Sequence, residues 1–140
     1  MKHPNSPQGR FYNFKPRHEW KLSEDDTRLL EDLPKIVRKH MVVVVDKAFP
    51  GWVKVTTTVD ESIDNDLYVP IRPTPKNRNT KMQLKIADEA YGYNGLPYRS
   101  YLRVDKIYSV PREILVDASL ELQTKSYGSL GHFMRERGLG

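Results

Sequence analysis

Met41-Val42-Val43-Val44-Val45 is an unbroken apolar run of strand length, four of its five residues β-branched. Polar residues bound it on both sides, Lys39-His40 before and Asp46-Lys47 after. Such a run reads as a β-strand covered on both faces, because a strand with one wet face would alternate. Phe49-Pro50-Gly51 then makes a turn. After it, Trp52, Lys54, Thr56 and Thr58 alternate with Val53, Val55, Thr57 and Val59, the pattern of a half-buried strand. These two strands form the centre from which the remaining elements are read.

Upstream, Arg10-Phe11-Tyr12-Asn13-Phe14 reads as a first strand, ended by Lys15-Pro16. Residues 17–37 are the most charged stretch of the chain. Within them Ser23-Glu24-Asp25-Asp26 has the form of a helix N-terminus, a Ser cap followed by acids that the helix dipole favours. The helix is expected to reach about Leu33 and to stop before Pro34. Downstream, residues 60–66 form a polar turn and residues 67–71 a strand. The strand ends at a basic, proline-rich loop that carries Arg72, Lys76 and Arg78. Met82, Leu84 and Ile86 alternate with Lys81, Gln83 and Lys85, predicting an amphipathic strand. A Tyr-Gly loop at 91–95 leads to a strand over 100–104, and residues 105–110 hold a turn and one more short strand. A helical turn at 112–115 and a short helix over 130–137, ended at Gly138, complete the pattern. The expected architecture is mainly β: a flexible lead-in over residues 1–8, then one domain over 9–140 built as a small barrel with appended helices.

At 140 residues the chain is long enough to bury one core. A formal charge of +5 favours a polyanionic partner, since each Lys or Arg that neutralises a phosphate releases a counterion. The absence of cysteine excludes disulfides, thiolate metal sites and a Cys nucleophile. His3, His18, His40 and His132 show no ligand spacing, so no metal site is expected. No apolar run approaches the ~20 residues of a membrane span. The polar N-terminus lacks a secretory signal, and a cytoplasmic protein without membrane contact is expected.

The order and wording of these segments resemble the MazF/PemK toxin family. Residues 9–16, Gly-Arg-Phe-Tyr-Asn-Phe-Lys-Pro, are similar to the family's opening strand, and residues 39–46 to its second strand. Leu67-Tyr-Val-Pro-Ile71 resembles the strand that reads "Val-Ala-Pro-Ile-Thr". The fullest likeness is residues 100–115, Ser-Tyr-Leu-Arg-Val-Asp-Lys-Ile-Tyr-Ser-Val-Pro-Arg-Glu-Ile-Leu. The resemblance implies an SH3-like barrel of the MazF/CcdB kind, a homodimer, that cuts single-stranded RNA without metal or other cofactor. It also implies an acidic antitoxin peptide as partner. In the family a basic residue after the first loop and a Thr closing the "Pro-Ile-Thr" strand carry the chemistry. Here Lys39 and Arg72 stand at those positions, and His40 stands where the family usually has Pro.

Metal-free RNA cleavage needs a base for the 2′-OH, an acid for the leaving oxygen and positive charge on the phosphate. His40 is the histidine beside a predicted core strand, and an imidazole titrates near neutrality. Lys39 and Arg72 supply charge, and Thr74 can replace the displaced Thr, so the catalytic set is Lys39, His40, Arg72 and Thr74. Arg38, Lys76 and Arg78 are the candidate RNA-binding cations and Tyr93 a stacking ring, the mixture that single-stranded nucleic acid requires. Each has a plainer role open to it: His40 as a hydrogen-bonded strand-end residue, Arg38-Lys39 as a solvated pair, Arg72 as an anchor of its loop. Trp52 is expected to pack in the barrel. Three functions remain open on these residues: an endoribonuclease toxin, a non-catalytic SH3-like binding module, and a toxin of the same fold aimed at a protein.

Overall fold

A computed structural model describes residues 6–62, 66–76, 80–87 and 93–139. Seven strands form one antiparallel sheet: β1 Arg10–Phe14, β2 Val42–Lys47, β3 Trp52–Val59, β4 Tyr68–Ile71, β5 Ser100–Arg103, β6 Tyr108–Pro111 and β7 Leu115–Glu121. Their order is β4-β5-β3-β2-β1-β7, with β6 paired to the start of β3. Three helices accompany the sheet: α1 Glu24–Leu29, α2 Lys35–Lys39 and α3 Thr124–Glu136.

Strand β2 explains the layering. Val43 is fully buried in one apolar cluster with Phe11, Leu84, Leu102 and the α3 residues Leu130, Phe133 and Met134. Val42 and Val44 are fully buried in a second cluster with Val55, Trp52, Leu30 and the α2 residue Val37. Alternate side chains of a strand point to opposite faces, so the valine run is covered twice, as its composition requires. Helix α3 covers one face of the sheet, and the α1–α2 excursion covers the other. A register shift between Val44 and Asp46 marks a bulge in β2. The Val45 carbonyl there accepts a hydrogen bond from the Tyr127 hydroxyl at 3.0 Å, which ties α3 to the sheet. Burial raises the pKa of that phenol, and the Asp46 charge adds to the rise.

The sheet path is open, since β4 and β7 do not pair with each other. Between them runs the segment expected to be an amphipathic strand. Leu84 bridges Ile71 on one side and Ile86 bridges Leu122 on the other. The Leu84 amide donates to Pro70 O at 2.9 Å and the Ala87 amide to Glu121 O at 2.8 Å. Leu84 and Ile86 are buried while Lys81 is exposed, so the alternation is present although the segment makes single bridges rather than a ladder.

Other differences from the residue pattern have local causes. The helix expected to run to Leu33 stops at Leu29, and a second helix starts after Pro34, which suits a first turn because it needs no amide there. Helix α3 starts at Thr124, six residues before Leu130, although Gly128 and Gly131 lower its intrinsic helicity. Strand β7 was not expected. It is irregular: as β1 advances from Arg10 to Tyr12, β7 advances from Glu121 to Asp117, and Ser119 sits at φ 60°. Asp105 pairs with Arg103 at 2.8 Å. Of the lead-in, residues 1–5 lie outside the described residues; Pro7 is buried, and the Gly9 amide donates to Val44 O at 2.7 Å.

The bulge in β7 is held by Asp117. Its carboxylate accepts from Arg10 Nε and Nη2 at 3.1 Å each and from the Ser119 amide at 2.7 Å. Desolvation pushes the Asp117 pKa up, but the Arg10 and Ser119 hydrogen bonds and the Arg10 charge outweigh it and leave the pKa lowered. A carboxyl that is more acidic in the folded state adds stability above its unfolded pKa of about 3.9, and that stability is lost as pH falls through the folded value. The pair is partly exposed, so screening holds the increment to about 0.5 kcal/mol. Asp117→Asn, which keeps an acceptor for Ser119, is expected to show this deficit in urea melts at pH 7 and none at pH 2. Separately, Leu84→Ala is expected to cost about 3 kcal/mol in the same assay, because a buried leucine leaves a cavity between the two sheet edges.

Candidate nucleic-acid interface

Strand β1 ends at Phe14, and Lys15-Pro16 turns the chain into a single 3-10 turn, Arg17–Glu19. The next residue, Trp20, folds back so that its indole Nε1–H donates to Lys15 O at 2.8 Å. Its ring lies 6.3 Å from that of Phe14. The Arg17 guanidinium stands 4.8 Å from the Trp20 ring centroid and that of Arg38 stands 5.9 Å away, both within cation–π range. Arg38 comes from α2, whose Val37 is buried in the cluster beneath. With Val37 facing the core, the charged residues of this short helix face outward. Arg38 and Lys39 occupy its last turn, where the helix dipole favours cations.

The result is a groove of about 280 Å³ lined by Phe14, Pro16 and Trp20 together with five cations, Lys15, Arg17, Lys35, Arg38 and Lys39. Among the described residues no carboxylate lines it, although Glu31 lines the adjoining cavity with Arg17, Trp20 and Arg38. A partly exposed indole amid these cations can hold a phosphodiester chain and present a ring edge to a base.

His40 caps α2 at its C-terminus, and its Nδ1 lies 2.9 Å from Ile36 O. A carbonyl at that nitrogen selects the Nδ1–H tautomer, which leaves the lone pair on Nε2. Arg72, Thr74, Lys76 and Tyr93 form a separate group beyond β4. The Arg72 guanidinium lies 5.5 Å from the Tyr93 ring centroid, and the Arg72 carbonyl accepts from the Leu96 amide at 2.8 Å. The Tyr93 hydroxyl donates to Leu96 O. Gly95 permits this close packing, since a Cβ there would meet Arg72 O at 2.7 Å. Thr74 is buried; its hydroxyl donates to Ser100 O at 2.9 Å and accepts from the Ser100 amide at 2.8 Å. Lys76 is exposed, and Arg78 lies outside the described residues.

The two groups share one end of the sheet but not one strand. Met41 O accepts from the Thr58 amide, Thr58 pairs with Leu102, and Ile71 pairs with Ser100. His40 and Arg72 thus extend from the same ends of β2 and β4, which β3 and β5 separate. Three strand spacings amount to roughly 14 Å along the sheet. Of the expected catalytic set, Lys39 lines the basic groove and His40 follows it in the chain, whereas Arg72 and Thr74 belong to the second group.

Lys15, Arg17, Trp20 and Lys35 were not among the expected site residues. The available signal was a tryptophan within a charged stretch whose flanks are basic. Trp52, expected to pack, is buried against Phe49 at a centroid distance of 4.6 Å, in the cluster that Leu30 and the α2 residue Val37 join. Comparison with family models, curated proteins and solved structures gives no match for this chain.

The double hydrogen bond of Thr74 makes a direct expectation. Thr74→Val keeps the shape but leaves the Ser100 amide and carbonyl without their partner, at a cost of about 2 kcal/mol. Thermal or urea unfolding measures it; an unchanged midpoint would show that water replaces the hydroxyl.

Proposed function

We propose that this protein is an SH3-like barrel of the MazF/PemK kind that binds single-stranded RNA along the groove around Trp20. The observation that carries the reading is the concentration of five cations and a partly exposed indole in one groove that, among the described residues, no carboxylate lines. The net charge of +5 adds long-range attraction for a polyanion. The barrel reading draws support from residues 84–87, which hydrogen-bond to both edges of the open sheet. An acidic antitoxin peptide would compete for the same cations, and homodimerisation belongs to the same resemblance.

RNA cutting is the second reading, and one observation favours it. His40 follows the groove residue Lys39 in the chain, and its Nδ1 contact with Ile36 O leaves Nε2 able to accept a proton. Lys39 then supplies charge to the phosphate, with Arg72 and Thr74 serving the fold of the neighbouring loop.

Fluorescence anisotropy with an unstructured RNA oligonucleotide tests binding. If three to five groove cations neutralise phosphates, log K falls with log salt at a slope of about −2 to −3.5. Trp20→Ala and Arg38→Ala each weaken binding about tenfold or more, the scale of one lost stacking or charge contact. No binding at low salt, or binding indifferent to Trp20→Ala, rejects the groove. Incubating the same RNA with EDTA present tests cutting: fragments with cyclic phosphate ends, lost in His40→Ala, support it, and intact RNA leaves a binding module.

A further inference from the structure

A second cavity, of about 730 Å³, lies beside α3 on the face of the sheet opposite the Trp20 groove. Its walls carry Lys81, Lys125 and Arg137 as cations, with the hydroxyl of Ser129 and the apolar side chain of Met82 between them. Among the described residues, Glu136 is the carboxylate on the wall, and it is engaged by His132 one helical turn away. Arg137 is laid over the Phe133 ring at 3.8 Å, which fixes its planar guanidinium at the rim. The cavity is open to solvent and its lining is mostly polar, with Met82 and Phe133 as its apolar side chains.

Two locally unfavourable backbone choices meet at this cavity. Gly128 stands in the middle of α3, where glycine weakens a helix relative to alanine. Nothing in the fold requires it, because a Cβ there would meet no atom within 4 Å. Lys81, on the facing wall, holds a left-handed φ of 55° that few non-glycine residues adopt. A bare helix backbone and a lysine at positive φ lining one cavity leave room for close approach by an anionic ligand.

We propose that this cavity binds a phosphorylated small molecule of nucleotide size, its phosphates held by Lys81, Lys125 and Arg137 and its body seated against Gly128. This site is independent of the RNA groove.

The test is a titration of the full chain with ADP followed by amide chemical shifts, with pyrophosphate as the probe lacking a nucleoside. ADP is expected to shift Lys125, Gly128, Ser129 and His132 but not Trp20. Pyrophosphate is expected to shift the same residues with weaker affinity, and equal affinity would overturn the nucleoside part of the assignment. Lys125→Ala is expected to weaken ADP at least tenfold. Gly128→Leu fills the cavity and is expected to abolish binding while holding or raising the melting temperature. Should Gly128→Leu fail to fold, Lys81→Ala, a change at an exposed side chain, takes its place with the same tenfold expectation. Absence of shifts at millimolar ADP, shifts confined to the Trp20 groove, or affinity unchanged in Lys125→Ala would overturn the proposal.

Discussion

Everything in this fold follows from burying β2 on both sides. Val42, Val43 and Val44 are each fully excluded from water, and each contributes on the order of 2 kcal/mol by its burial. Successive side chains of a strand face opposite ways, so that gain is available only if two separate covers exist. Helix α3 provides one through Leu130, Phe133 and Met134. The excursion between β1 and β2 provides the other through Leu30 and Val37. That charged excursion is therefore a structural necessity of the valine run beside it.

The same constraint creates the basic groove. A five-residue helix with one buried side chain has most of its surface in solvent, and in α2 that surface is Lys35, Arg38 and Lys39. They face the turn after β1, whose Lys15 and Arg17 are held by the Trp20 indole hydrogen bond to Lys15 O. Cations from two chain segments thus converge because an apolar cluster beneath them had to be closed. Their mutual repulsion is the cost of that closure, and a polyanion relieves it.

The centre of the fold was legible in the residues as a continuous apolar run, a Pro-Gly turn and a second strand, but β3, expected to be half-buried, is covered on both faces with Thr56, Thr57 and Thr58 buried. The periphery was less legible. In β7, Asp117 and Ser119 break the alternation with a bulge, so the residues carry no strand pattern. In α3, Gly128 and Gly131 mask a helix whose stability comes from packing on the sheet. At the candidate site, Arg38, Lys39 and His40 were visible as charge flanking a core strand. Trp20, Arg17 and Lys15 were not, since their meeting with α2 depends on tertiary closure. Thr74 illustrates the opposite difficulty: its residue type suited chemistry, and only the coordinates show both hydrogen bonds to Ser100.

The segment at 84–87 has a further consequence for life in a crowded solution. An open sheet ends in two rows of unsatisfied amides and carbonyls, each a template on which another chain can add a strand. Here Pro70 O, the Arg72 amide, Glu121 O and the Gln123 amide are already occupied from within the chain. Lysines 81 and 85 accompany the buried residues 84 and 86 of that segment, so what a neighbouring molecule meets there is charge. A few hydrogen bonds that do little to extend the sheet thus occupy, at the ends of β4 and β7, positions at which another chain would add a strand.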